Sequence, residues 1–129
     1  MLDADKNSLD SRGLPPHYQF QDDWEITPRD SRDALRASDA PLLLDVRLPD
    51  EIETASVDGA VVIPLQELPS RLDELDDARD RRIITMCHHG RRSLRAASIL
   101  RNAGFTDVVS MAGGIDLWSI DIDPTIARY

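Results

Sequence analysis

The stretch Arg82-Ile83-Ile84-Thr85-Met86-Cys87-His88-His89-Gly90-Arg91-Arg92-Ser93 joins a short apolar run directly to the start of a helix. Arg82 to Met86 reads as a strand covered on both faces, since a continuous apolar run leaves no polar side to turn to water. It ends at Cys87. Beyond the loop, Ala96, Ile99, Leu100 and Ala103 trace one face of a helix that stops at Gly104, a residue suited to a left-handed C-terminal position. Strand, tight loop and helix make the repeating unit of an α/β sheet, and such sheets bind ligands beyond the carboxyl ends of their strands. Cys87 stands at such an end.

The rest of the chain repeats the pattern. Thr27 before Pro28 and Asp30 predicts a helix start: a capping hydroxyl, a proline in the first turn and an acid near the positive end. That helix runs to about Ala37. Pro41 to Val46 and Gly59 to Pro64 read as two further short strands, and Leu68, Leu72 and Leu75 as one face of an amphipathic helix. Val108 to Met111 is another strand, and Gly113-Gly114 leads into a final helical turn around Trp118. Strands alternating with helices predict an open α/β sheet, mostly parallel, with helices on both faces.

The domain is expected over residues 24–129, beginning at Trp24-Glu25-Ile26-Thr27. Residues 1–23 form an N-terminal extension: polar, with Gly13 and Pro15-Pro16, and without sustained periodicity. An arm laid across the domain by Tyr18, Phe20 and Trp24 is favoured over a proline-rich ligand for aromatic grooves, which Pro15-Pro16-His17-Tyr18 resembles.

A length of 129 residues suits one domain, and a hydrophobic share of 41% can build its core. With aromatics at 5%, that core is expected to be aliphatic. The formal net charge of −9 argues against nucleic acid or an anionic membrane as the main partner, because both need clustered lysine and arginine. No apolar run is long enough to span a bilayer. The opening MLDADKNSLD lacks the basic start and apolar run of a signal peptide. A single cysteine makes no internal disulfide, so a cytoplasmic location is expected.

The chemistry concentrates at Cys87. Loop amides and the following helix N-terminus carry partial positive charge and can hold an anion. Arg91, Arg92 and a protonated His88 or His89 would add to it, favouring thiolate over thiol. Gly90 allows a tight turn in which amides converge on one sulfur atom. An inert buried cysteine is the plain alternative, but two histidines, a glycine and two arginines are unusual company for one. Metal binding is disfavoured, because adjacent His88 and His89 do not have the separation of known zinc ligands. Cysteine phosphatases set a phosphate-clamping arginine one position later, where this chain has Ser93.

On three stretches the sequence resembles the rhodanese-like domain family of single-domain, bacterial-type sulfurtransferases. They are Leu44-Asp45-Val46-Arg47, Gly59-Ala60 with Ile63-Pro64, and Cys87 to Ser93; Met111 to Trp118 resembles the family's Gly-Gly and Trp ending. The resemblance implies a sheet of about five strands and a six-residue loop from Cys87 to Arg92 that accepts sulfane sulfur. It implies that Cys87 attacks the outer sulfur of a donor such as thiosulfate and holds a persulfide. A thiophilic acceptor, cyanide or a protein thiol, then takes the sulfur. Backbone amides of residues 88–92 would stabilise the anion. Asp45, Arg47 and Ser93 take supporting roles: the first two shape the loop or the donor's entrance, favoured over direct catalysis because a thiolate attack requires neither, with an ion pair at a strand end as the plain alternative. No cofactor and no metal are implied. A sulfur-relay or protein-interaction module without rapid turnover is the alternative function.

The chain also departs from the family pattern. Where the family often has Gly-His-Ile-Pro-Gly-Ala, it reads Ala55-Ser56-Val57-Asp58-Gly59-Ala60, and the second loop position, often arginine or lysine, is His88.

Overall fold

The computed structural model describes residues 5–129. The first four residues of the expected extension, and of the stretch read for a signal peptide, lie outside the described residues. Among the described residues, five strands form one sheet: β1 (Glu25–Ile26), β2 (Leu42–Asp45), β3 (Val61–Val62), β4 (Ile83–Met86) and β5 (Val108–Met111). Their order is β1-β5-β4-β2-β3 and every pairing is parallel, as the alternation of strands and helices predicts. In the centre, β4 pairs Ile84 with Leu43 of β2 and with Val109 of β5.

The α-helices that connect and cover the strands among the described residues are α1 (Pro28–Leu35), α2 (Pro49–Thr54), α3 (Arg91–Asn102) and α4 (Gly114–Asp121). Thr27 caps α1 as expected, its Oγ1 accepting from the Asp30 amide at 3.1 Å. Successive strand residues point to opposite faces. Ile83 and Cys87 therefore join the cluster of Ala96, Ala97 and Leu100 from α3. Ile84 and Met86 join Ile115 and Trp118 from α4 on the opposite face. Leu44, Ile83, Ile84 and Met86 are all fully buried, each contributing about 1.5–3 kcal/mol of burial free energy. The parity of β4 thus decides that Cys87 faces α3.

Two elements differ from the sequence reading. The helix expected through Leu68, Leu72 and Leu75 is two 3-10 segments, Leu65–Ser70 and Leu72–Ala78, broken at Arg71. Pro69 lies inside the first segment, where its ring would crowd the carbonyl four residues back in a continuous α-helix. Leu68 and Leu75 are still buried. The strand expected from Gly59 to Pro64 shortens to Val61–Val62, an edge strand with exposed side chains. Before it, the altered stretch still turns: the Ala60 amide donates to the Val57 carbonyl at 3.4 Å, and Gly59 takes φ +84. No described helix is long and apolar enough to cross a membrane.

Candidate active site

Cys87 follows the last residue of β4, and its side chain is 1% exposed. Its Sγ accepts from the Gly90 amide at 3.1 Å and the Ser93 amide at 3.3 Å, with Ser93 Oγ at 3.4 Å. Ser93 is the third residue of α3, so its amide is one of the donors that a helix N-terminus leaves without a partner. Gly90 caps the helix at φ +110, a conformation natural only to glycine. The expected cradle of amides from residues 88–92 is thus narrower. Among the described residues, the amides that reach sulfur are those of Gly90 and Ser93.

The outer side of the loop is held by α4. The Ile115 amide donates to the Cys87 carbonyl at 2.8 Å, and the Asp116 amide to the His88 carbonyl at 3.1 Å. Gly114 has φ +59, and a Cβ there would run into those same two carbonyls. The glycine pair therefore lets one helix N-terminus bind the loop's carbonyls while another presents amides to the sulfur. Carbonyls turn out and amides turn in.

Arg92, at the end of the loop, donates to both carboxylate oxygens of Glu51 on α2, at 2.6 and 2.9 Å. That pairing holds the Glu51 carboxyl down at about 2, burial opposing and the Tyr129 hydroxyl assisting. Tyr129 donates to Glu51 Oε2 at 2.8 Å, accepts from Arg47 Nη1 at 2.9 Å, and stacks on His88 with ring centres 3.9 Å apart and planes 7° apart. Burial, with the neighbouring Glu51, pushes its hydroxyl up to about 12, so it stays a donor.

Asp45 and Arg47 lie beneath this layer. Both are fully buried and joined by bonds of 2.7 and 3.0 Å. Arg47 also donates to the Ala55 carbonyl at 2.8 Å and the Glu51 carbonyl at 3.3 Å, pinning α2 at its carboxyl end. The pair supports α2, which carries Glu51.

His88 and His89 come closer together than their adjacency predicts. Their ring centres are 3.8 Å apart, and their nitrogens and an Asp116 oxygen lie within 4.8 Å of one another. Asp116 is engaged by Arg128 at 2.8 Å, however, and its distance to His89 Nε2 is 3.7 Å. Burial and the neighbouring His88 lower the pKa of His89. The cationic contribution expected of it is therefore weak at neutral pH.

The family's sequence profile matches residues 27–121, from the cap of α1 to the end of α4, under the description rhodanese-like domain. The chain belongs to the rhodanese-like domain family. A sulfurtransferase of Allochromatium vinosum is 30% identical over 103 residues, covering 80% of this chain and 94% of that protein. The probable adenylyltransferase/sulfurtransferase MoeZ of Mycobacterium tuberculosis is 36% identical over 104 residues, covering 81% of this chain but 26% of that protein. The chain thus spans about a quarter of the length of several curated relatives it matches. Among solved structures, a human single-domain sulfurtransferase superposes with TM-score 0.64 at 28% identity, covering 73% of this chain and 93% of that one.

Around this rhodanese-like core, the segment before β1 reaches the site. Leu14 packs with Ala112 and Leu117, with Tyr18 and Phe20 alongside. Tyr18 donates to Glu25 at 2.7 Å and accepts from the Gly113 amide at 3.0 Å. Trp24 lies under the Arg101 guanidinium at 3.9 Å. The sequence reading brought Cys87, His88, Gly90, Arg92 and Ser93 together, as the structure does. It missed Glu51 and Tyr129, though the acid four positions after Arg47 was visible.

Proposed function

We propose that this chain is a sulfurtransferase that carries sulfane sulfur as a persulfide on Cys87. The observation that supports it most is a single buried sulfur receiving two backbone amides at 3.1 and 3.3 Å in a loop braced from outside. Donors fixed before reaction stabilise an anion without reorganising. With thiosulfate, the Cys87 thiolate attacks the outer sulfur, forming one S–S bond while the donor's S–S bond breaks. Sulfite leaves with the electron pair. An acceptor thiolate or cyanide then attacks the outer persulfide sulfur and regenerates the Cys87 thiolate, so no electrons are consumed overall. Asp45, Arg47, Glu51 and Arg92 hold the loop, and the lone thiol fits a reducing, cytoplasmic setting.

Phosphatase chemistry is disfavoured by the same geometry, because the Arg92 guanidinium that would clamp phosphate is taken by Glu51. The test is thiocyanate formation from thiosulfate and cyanide. Turnover that survives in a folded Cys87→Ser variant rejects the proposal.

A protein acceptor is favoured by the surface beside the loop. A groove of about 470 Å³ is lined by Leu48, Leu65, Pro69, Arg92, Arg95 and Ile99. Among the described residues, Arg91 and Arg95 have no hydrogen-bond or ion-pair partner. Free guanidiniums beside the cysteine loop of a chain with net charge −9 complement an acidic partner. The occupant is an acidic, thiol-bearing segment of a sulfur-accepting protein, its aliphatic side chains on Leu65 and Ile99.

A further inference from the structure

Behind the sulfur cradle lies a hydroxyl that the sequence reading did not mark. Ser110 sits on β5, is fully buried, and has its Oγ 2.7 Å from Ser93 Oγ. Among the described residues, that hydroxyl has no other hydrogen-bond partner. Ser93 Oγ in turn lies 3.4 Å from Cys87 Sγ and 3.2 Å from the Gly90 carbonyl.

A serine hydroxyl has one proton to give and two lone pairs to offer. If Ser93 gave its proton to Ser110, the Ser110 proton would be buried with no acceptor. The arrangement that satisfies both groups has Ser110 donating to Ser93. The Ser93 proton is then left for the Gly90 carbonyl or for sulfur. With a neutral thiol, S–H donates to Ser93 Oγ, and Ser93 donates to the carbonyl. With an anionic sulfur the S–H is gone, and a bond to a charged acceptor is stronger than one to a carbonyl. The Ser93 hydroxyl then rotates to sulfur while Ser110 continues to donate to its oxygen.

We propose that Ser110 is a positioning residue for the anionic sulfur. By donating to Ser93 Oγ, it fixes that side chain and polarises its O–H, making Ser93 a third donor beside the amides of Gly90 and Ser93. No bond is made or broken between heavy atoms; one hydroxyl turns. The inference rests on Cys87 as the sulfur carrier and names a residue that tunes it.

The test is the pH dependence of Cys87 alkylation by iodoacetamide in wild type, Ser110→Ala, Ser93→Ala and the double variant. This reaction needs no sulfur donor. The titratable and charged groups around the sulfur, Tyr18, His88, His89 and Arg92 with Glu51, are the same in all four proteins. Ser110→Ala moves the midpoint upward by about half a pH unit, roughly a threefold loss of reactive thiolate at lower pH. In the Ser93→Ala background the same change adds nothing, because Ser110 acts through Ser93. Ser110→Thr, which keeps the hydroxyl, leaves the midpoint at the wild-type value. An unmoved midpoint in Ser110→Ala, equal shifts in both backgrounds, or a Thr variant shifted as far as the Ala variant overturns the inference. If the expected pattern holds while no sulfur is ever carried, Ser110 keeps its role and the sulfurtransferase proposal falls.

Discussion

Glu51 grips Arg92 through two hydrogen bonds of 2.6 and 2.9 Å, tying α2 to the last residue of the cysteine loop. Arg47 holds α2 from below and Tyr129 holds Glu51 from the side. The last arginine of the cysteine loop is therefore a structural tie as much as a charge. Freeing it alters what the loop admits. In Glu51→Gln the loop binds doubly charged oxyanions more tightly, and sulfate and phosphate become several-fold stronger inhibitors of sulfur transfer. Unchanged inhibition constants would show that Arg92 is no nearer to substrate in the variant.

The same pair has a pH signature. The Glu51 carboxyl is held at about 2, below its ordinary 4.5, first by Arg92. A depressed folded-state pKa gives stability that is present above the unfolded value and lost as pH falls through the folded one. The stability difference between wild type and Glu51→Gln is accordingly constant from pH 7 to about 5, then shrinks toward pH 2. Urea unfolding at several pH values measures it. A difference already gone at pH 4 contradicts the tie.

Asp45 and Arg47 are a buried pair, so removing one partner leaves an uncompensated charge in the interior. Asp45→Ala costs roughly 3–5 kcal/mol in urea unfolding. It also lowers activity, because α2 loses the anchor that presents Glu51. A loss of about 1 kcal/mol or less, the value of an exposed pair, would mean that the carboxylate is dispensable.

Two glycines with positive φ separate strain from contact. Gly59 has φ +84 with nothing within 4 Å of an added Cβ. Gly59→Ala costs about 1–2 kcal/mol from backbone strain alone and leaves turnover unchanged. At Gly114 a Cβ meets the Cys87 and His88 carbonyls. Gly114→Ala costs roughly 3–5 kcal/mol, strain and overpacking together, and turnover falls because the loop must move. Equal effects on turnover at both positions would remove α4 from the bracing of the loop.

The parts legible in the sequence are those encoded locally. Ile83 to Met86 could only be a covered strand, and a glycine three residues after Cys87 marked the turn. Thr27-Pro28 announced a helix that the structure caps in the expected way. The missed parts depend on distant neighbours. Glu51 meets Arg92 across 41 positions and Tyr129 meets Arg47 across 82; the arm carrying Tyr18 was expected across the domain, but not its bond to Gly113, 95 positions on. No periodicity encodes such contacts, because they arise from packing α2, the last residues and the N-terminal arm around one loop. The misread helix at Leu68 is a different case. Its leucine spacing was real, but Pro69 was also in view and excluded regular α-helical bonding.

The partner surface makes its own prediction. Arg95→Glu reverses an unpaired charge beside the groove without touching the sulfur cradle. Transfer to an acidic, thiol-bearing protein acceptor weakens about tenfold or more, while transfer from thiosulfate to cyanide is unchanged. Equal losses with both acceptors would place Arg95 in the loop's own chemistry.

Intact mass after incubation with thiosulfate tests persulfide carriage on Cys87 most directly. One added sulfur atom, removed by reductant and absent from Cys87→Ser, is the expected result. A wild-type protein that gains no sulfur from thiosulfate or any other sulfane donor would contradict it.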